Sequence, residues 1–178
     1  MMLSEQRCVP GAPALPAPEA AALLAQLPAW RRIDGRIERV YAFNDYHETI
    51  AFVNALVPMI HAQDHHPDLQ VAYRHCTHGA PALDLEAIRA LLAQLPGWQN
   101  KDGSIEREYT FADYRATIAF VNAVANMAET ENHHPEMTVG WRRCKLAYTT
   151  HSAGGALSAN DFICAAKADS LYAQGTAA

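Results

Sequence analysis

The chain has 178 residues, 50% of them apolar and 19% charged, a balance that supplies a buried core and excludes wholesale disorder. A net charge of -5 without any basic run leaves no footprint for nucleic acid or an anionic membrane surface. No stretch approaches the roughly 20 apolar residues of a membrane helix.

In chain order, residues 1–18, MMLSEQRCVPGAPALPAP, lack the basic start and apolar centre of a signal peptide. They are expected to form a flexible N-terminal segment of a cytoplasmic protein. The four cysteines, Cys8, Cys76, Cys144 and Cys164, make no Cys-x-x-Cys pair and are expected to be reduced thiols. From Gly11 onward the sequence is a duplication. GAPAL at Gly11 recurs at Gly79, LLAQLP at Leu23 recurs at Leu91 and TIAFVNA at Thr49 recurs at Thr117, always 68 residues on. The same shift pairs Trp30 with Trp98, His65-His66-Pro67 with His133-His134-Pro135, and Cys76 with Cys144. A period this long exceeds the roughly 20 to 50 residues of stacking repeats, so each copy is expected to be a miniature domain. The boundaries are placed at 19–83 for a degenerate first repeat and 84–178 for a complete second one.

Each copy opens with a helix around Leu23 or Leu91, the second stopped by Pro96-Gly97. A hairpin comes next at Asp34-Gly35 or Asp102-Gly103, a strong turn dipeptide. After it Ile105, Arg107, Tyr109 and Phe111 alternate with Glu106, Glu108 and Thr110, as a half-buried strand requires, and Ile37, Arg39, Tyr41 and Phe43 repeat the pattern. From Asp113 the period becomes helical, with Ile118, Val121, Val124 or Ala125, and Ala128 along one face. The first copy carries Pro58 inside this helix, where Asn126 stands in the second, removing a backbone donor. Thr138 to Thr150, rich in Val, Trp, Tyr and Thr, makes one or two strands, and a last helix begins near Ser158 or Asn160, either of which can cap it. Cys144 is followed by 34 residues, whereas Cys76 is separated from the second unit by only a few. The fold class is therefore α+β, two tandem α-β-β-α-β-β-α units. The complete unit has four antiparallel strands with helices on one face, and the first lacks its last strand and helix.

The histidines carry the chemistry. A His-His-Pro junction after a helix serves as a helix stop, as part of a metal site, or as an acid-base pair, since an imidazole with a pKa near 6.5 exchanges protons around neutrality. No Cys or His spacing completes a zinc pattern, and adjacent histidines point apart, so no metal is expected. His151 stands before the Gly154-Gly155 loop, where a ligand has access. Trp98 is expected in the core, Arg107 to snorkel or pair with an acid, and Cys144 to be buried and inert.

The run Glu129, His133-His134-Pro135, Trp141, His151 and Asp161, with Asp113-Tyr114 upstream, resembles the signature of pterin-4a-carbinolamine dehydratases. The resemblance covers about Leu91 to Tyr172 and, incompletely, Leu23 to Cys76. It implies elimination of water from 4a-hydroxytetrahydropterin to give quinonoid dihydropterin, with no cofactor. It further implies His133 and His151 in proton transfer, His134 binding and orienting the pterin, and Glu129, Trp141 and Asp161 binding or tuning. In the first copy His65 and His66 persist, His61 replaces Glu129, Tyr73 replaces Trp141, and His78 is the one candidate for the place of His151, so this site is expected to be degenerate. Implied partners are a pterin and the pathway of an aromatic amino acid hydroxylase, with a homo-oligomer or an intramolecular pseudo-dimer of the two copies. The alternative class is a non-catalytic dimerisation cofactor or assembly chaperone on the same fold.

Overall fold

The computed structural model describes residues 3, 6–9, 12–73 and 80–176. The first repeat contributes α1 (Ala17–Leu24), β1 (Arg31–Ile33), β2 (Arg36–Glu38), α2 (Tyr46–Gln63) and β3 (Leu69–Val71). The second contributes α3 (Leu85–Leu92), β4 (Gln99–Lys101), β5 (Ser104–Thr110), α4 (Tyr114–Glu131), β6 (Glu136–Gly140), β7 (Arg143–Tyr148), a 3-10 turn (His151–Ala153) and α5 (Ala159–Thr176). The architecture is the expected α+β, with antiparallel sheets and helices in the expected order.

Local chemistry accounts for the boundaries. The Asp113 and Asp45 carboxylates cap α4 and α2 by accepting the amides of Ala116 and Glu48, satisfying donors that the first helical turn leaves open. Asn132 and Asp64 end those helices in the left-handed region, at φ 49° and 47°, a conformation that Asn and Asp tolerate better than most residues. At the hairpin, Asp102 and Gly103 both have positive φ, 49° and 86°, as a two-residue type I′ turn demands. Helix α4 buries Ile118, Val121, Val124, Ala125 and Ala128, the stripe its periodicity marks. Helix α2 continues through Pro58.

Strands of the second repeat run β6-β7-β5-β4, all antiparallel, with α4 and α5 packed against one face. Ile105, Tyr109, Met137, Val139, Leu146 and Tyr148, each at most 1% exposed, fill the space between sheet and helices. Burial pushes the Cys144 thiol up to about 12, with Glu108 adding to the effect, which keeps it protonated and unreactive at neutral pH. Helix α5 is pinned by Asp169, which accepts Trp98 Nε1 at 3.1 Å and the Tyr109 hydroxyl at 2.5 Å and pairs with Arg107 at 2.9 Å. Trp98 and Arg107 are thus accounted for as core and ion-pair residues.

The first repeat behaves differently. Strand β3 leaves its own hairpin and adds a fifth strand to the second repeat's sheet, beside β6, while β1 and β2 form a separate ladder. Ile37, the counterpart of buried Ile105, is 50% exposed. Among the described residues no strand of the first repeat occupies the place that β7 holds, so nothing there joins β2 to β3.

The β3–β6 register pairs Leu69 with Val139, Gln70 with Thr138 and Val71 with Met137. Under the 68-residue shift Leu69 corresponds to Met137 and Val71 to Val139, so the pairing is a pseudo-twofold centred on Gln70 and Thr138. Asn54 and Asn122, equivalent residues on α2 and α4, obey the same symmetry, each amide donating to the other's carbonyl at 2.9 and 3.0 Å. Strands β3 and β6 and helices α2 and α4 thus meet through a pseudo-symmetric set of contacts. Removing either asparagine side chain is expected to cost about 1 kcal/mol, and removing both should cost less than the sum. Equilibrium urea denaturation of Asn54→Ala, Asn122→Ala and the double variant measures this coupling.

Candidate active site

Three short segments bring the histidines together: the junction after α4, the turn after β7, and the start of α5. Left-handed Asn132 redirects the chain so that His133 and His134 leave on opposite sides. His133 is 3% exposed, and its ring stacks near Tyr148 at 5.7 Å and 12°. Its Nε2 lies 2.7 Å from Asp161 Oδ1.

Asp161 is fully buried, and its position is set by the way α5 begins. Ser158 is the cap residue, its Oγ accepting the Asn160 amide, and Asp161 three residues on reaches back to accept the Ser158 amide at 2.7 Å, which is a capping box. The same Oδ2 accepts the Thr150 hydroxyl at 2.8 Å. Because Thr150 commits its proton there, the 2.7 Å contact between Thr150 Oγ1 and Ser158 Oγ has Ser158 as donor. A carboxylate that accepts on every side calls for a proton on His133 Nε2. The helix start thereby sets the tautomer of a histidine 28 residues earlier.

His134 turns the other way. Its Nε2 is 2.9 Å from Glu129 Oε1, on the last turn of α4. With His151 it lines a cleft of about 140 Å³ on the sheet face away from α4 and α5. Strand β5 adds Ser104 and Glu106, β6 adds Glu136 and Thr138, and β7 adds Lys145 and Ala147, with Thr149 beside His151. Lys145 Nζ lies 3.4 Å from Glu106, and Gln70 of the first repeat holds the Glu136 carboxylate. His151 is exposed at the head of the 3-10 turn, which Gly154 and Gly155 close at φ 71° and 82°. A broader depression of about 530 Å³ at Thr110, Phe111, Ala112 and Arg142 has no side chain that exchanges protons near neutrality, so the smaller cleft is the chemically competent one.

Of the expected site residues, His134 and His151 share the cleft, Glu129 holds His134, and Asp161 holds His133 behind the wall. Trp141 is 45% exposed and lies against His66 of the first repeat, centroids 3.8 Å apart, and parallel to Tyr114 at 6.1 Å, away from the cleft lining. In the first repeat His65 is exposed. His66 packs among His61, Tyr114 and Trp141, and its pKa is lowered, chiefly by burial. His78 lies outside the described residues. Sequence reasoning misses the cleft residues Ser104, Glu106, Glu136, Thr138, Lys145 and Thr149. Their alternation with the buried positions of β5, β6 and β7 is the signal that could have found them. Among the described residues no group of three or more His, Cys, Asp or Glu side chains is arranged to hold a metal ion, and no helix is long and apolar enough to cross a membrane.

Comparison with known proteins identifies a family. The family model for pterin 4 alpha carbinolamine dehydratase matches residues 13–79 and again 81–171. Relatives named "Putative pterin-4-alpha-carbinolamine dehydratase" include one from Nitrosospira multiformis, 50% identical over 97 residues that span 54% of this chain and 85% of the relative. One from Nitrosomonas eutropha is 53% identical over 97 residues, again spanning 54% and 85%. A solved structure of a transcriptional coactivator/pterin dehydratase from Brucella melitensis aligns with a TM-score of 0.49 at 28% identity, covering 51% of this chain and 98% of that one. With both segments matched, the chain belongs to the pterin 4 alpha carbinolamine dehydratase family, and it carries the family's unit twice.

Proposed function

We propose that the second repeat dehydrates a 4a-hydroxytetrahydropterin to the quinonoid dihydropterin, a step of tetrahydropterin recycling. The observation that carries this reading is the pairing of His134 and His151 across one cleft in a chain of this family. The reaction breaks the C4a–O bond and forms the N5=C4a double bond. The N5 proton passes to a base, and an acid delivers a proton to the departing hydroxyl, which leaves as water. Two imidazoles in opposite protonation states supply both functions near neutral pH.

His134 and His151 are assigned to these proton transfers because they face the cleft. His133, which the family resemblance alone would place in proton transfer, takes a positioning role in this proposal, since its ring is bonded to buried Asp161 and is absent from the cleft lining, whereas His134, equally buried at its side chain, is part of that lining. Glu129 orients His134 through Nε2. The lining carboxylates and Lys145 offer hydrogen-bonding groups of both signs to a polar heterocycle.

Stopped-flow measurement of carbinolamine dehydration, with and without a chelator, tests the proposal. A rate above the spontaneous reaction that survives chelation is expected. No such rate would favour a non-catalytic scaffold, and a chelator-sensitive rate would point to metal chemistry.

A further inference from the structure

His134 belongs to the second repeat, yet two rings of the first repeat lie against it. Tyr46 opens α2, and its ring meets the His134 imidazole edge-on, centroids 4.7 Å apart at 71°. Tyr73, just beyond β3, lies obliquely over the same imidazole at 4.2 Å and 32°. The two tyrosines touch each other edge-on at 5.8 Å. Tyr46 is 1% exposed, and burial raises its pKa well above the usual tyrosine range, so it stays a neutral, fixed wall. The mirror-related cluster, His66 with Tyr114 and Trp141, has His61 where Glu129 would stand. Of the two clusters, the one at His134 combines the aromatic rings with a carboxylate.

The parts act on different degrees of freedom. Glu129 is 54% exposed at its side chain and tethers a single ring atom, a bond that by itself does not stop the imidazole rocking about it. Rings set at 71° and 32° to the imidazole plane remove the rocking. Neither tyrosine lines the cleft, so neither is placed to bind substrate.

We infer that the first repeat completes the second repeat's site, Tyr46 and Tyr73 forming an aromatic clamp that fixes the plane of the His134 imidazole. The inference rests on the dehydratase reading above, and it makes the degenerate copy a required part of the working one. Tyr46 and Tyr73 are positioning residues.

The test uses the full chain. Tyr73→Leu is expected to lower kcat by roughly 10- to 100-fold, the scale on which small misplacements of a catalytic group are felt, while KM moves by less than about threefold. Tyr73→Phe and Tyr73→Trp keep a ring and should restore most of kcat. In the NMR spectrum the His134 imidazole C–H resonances, assigned by their loss in His134→Gln, should shift in Tyr73→Leu and stay near their original positions in Tyr73→Phe. Tyr41→Leu, at an exposed aromatic of the same repeat that packs on Phe52, should change neither readout. Tyr73→Met replaces Tyr73→Leu if the latter fails to fold. A folded Tyr73→Leu with unchanged kcat and unchanged His134 resonances overturns the clamp, as does a Tyr73→Phe as impaired as Tyr73→Leu. If the unaltered protein shows no dehydration, the functional reading fails, and the resonances alone decide whether the clamp exists.

Discussion

Alanine at His134 or at His151 is expected to reduce dehydration turnover by roughly 10²- to 10⁴-fold, the range that a single general acid or base contributes. Both rings line the one cleft, on opposite chain segments, and among the described residues no other imidazole does. His133→Ala should also lower turnover strongly, together with stability, because its ring fills a buried site and carries the bond to Asp161. His65→Ala, at an exposed position of the first repeat, should leave the rate within about twofold of the parent, as surface changes away from such features usually do. Single-turnover kinetics of the four variants separate these outcomes. Similar losses at His65 and His151 would show that catalysis is not confined to the second repeat.

Asp161→Ala should be the most destabilising single change in the site, by about 3–5 kcal/mol. The substitution removes one carboxylate but strands a ring nitrogen, a hydroxyl and a backbone amide, all in the buried interior. Each lost acceptor costs about 1–3 kcal/mol when a buried donor is left behind, and the start of α5 loses its capping box as well. Asp161→Asn keeps the volume and one acceptor oxygen, so it should recover part of the loss. Its remaining deficit measures how far His133 and Thr150 depend on the second oxygen. Urea denaturation of both variants provides the comparison, and an Asp161→Ala midpoint matching the parent would remove Asp161 from the architecture of the site.

Much of this is legible in the residues. The stripe Ile118, Val121, Val124, Ala125, Ala128 announces the buried face of α4, Asp102-Gly103 the hairpin, and Ser158 the start of α5, because each rests on interactions within a few residues of chain. The exposed hairpin β1–β2 and the transfer of β3 to the other repeat's sheet are not legible. Alternation tells which side chains share a face, but an unpaired strand edge can accept any partner with a compatible register. For the same reason Tyr46 and Tyr73 cannot be connected to His134 from sequence, since that contact exists only once β3 has crossed over. The histidines themselves are evident. Their division, both buried but only His134 in the cleft lining, follows the left-handed turn at Asn132, whose direction no periodicity encodes.

The reciprocal pairing of Asn54 with Asn122 and of β3 with β6 has a genetic consequence. In an assembly of identical subunits every substitution appears in all copies at once, so a change that suits one member of a pair but harms the other is removed by selection. Here each position of the seam is encoded separately. Glu129 and its counterpart His61 can diverge without compromise, and one half can give up chemistry to specialise as support for its neighbour. The tether also holds the two halves at a high mutual effective concentration, so dilution of the protein does not separate the support from the site it serves.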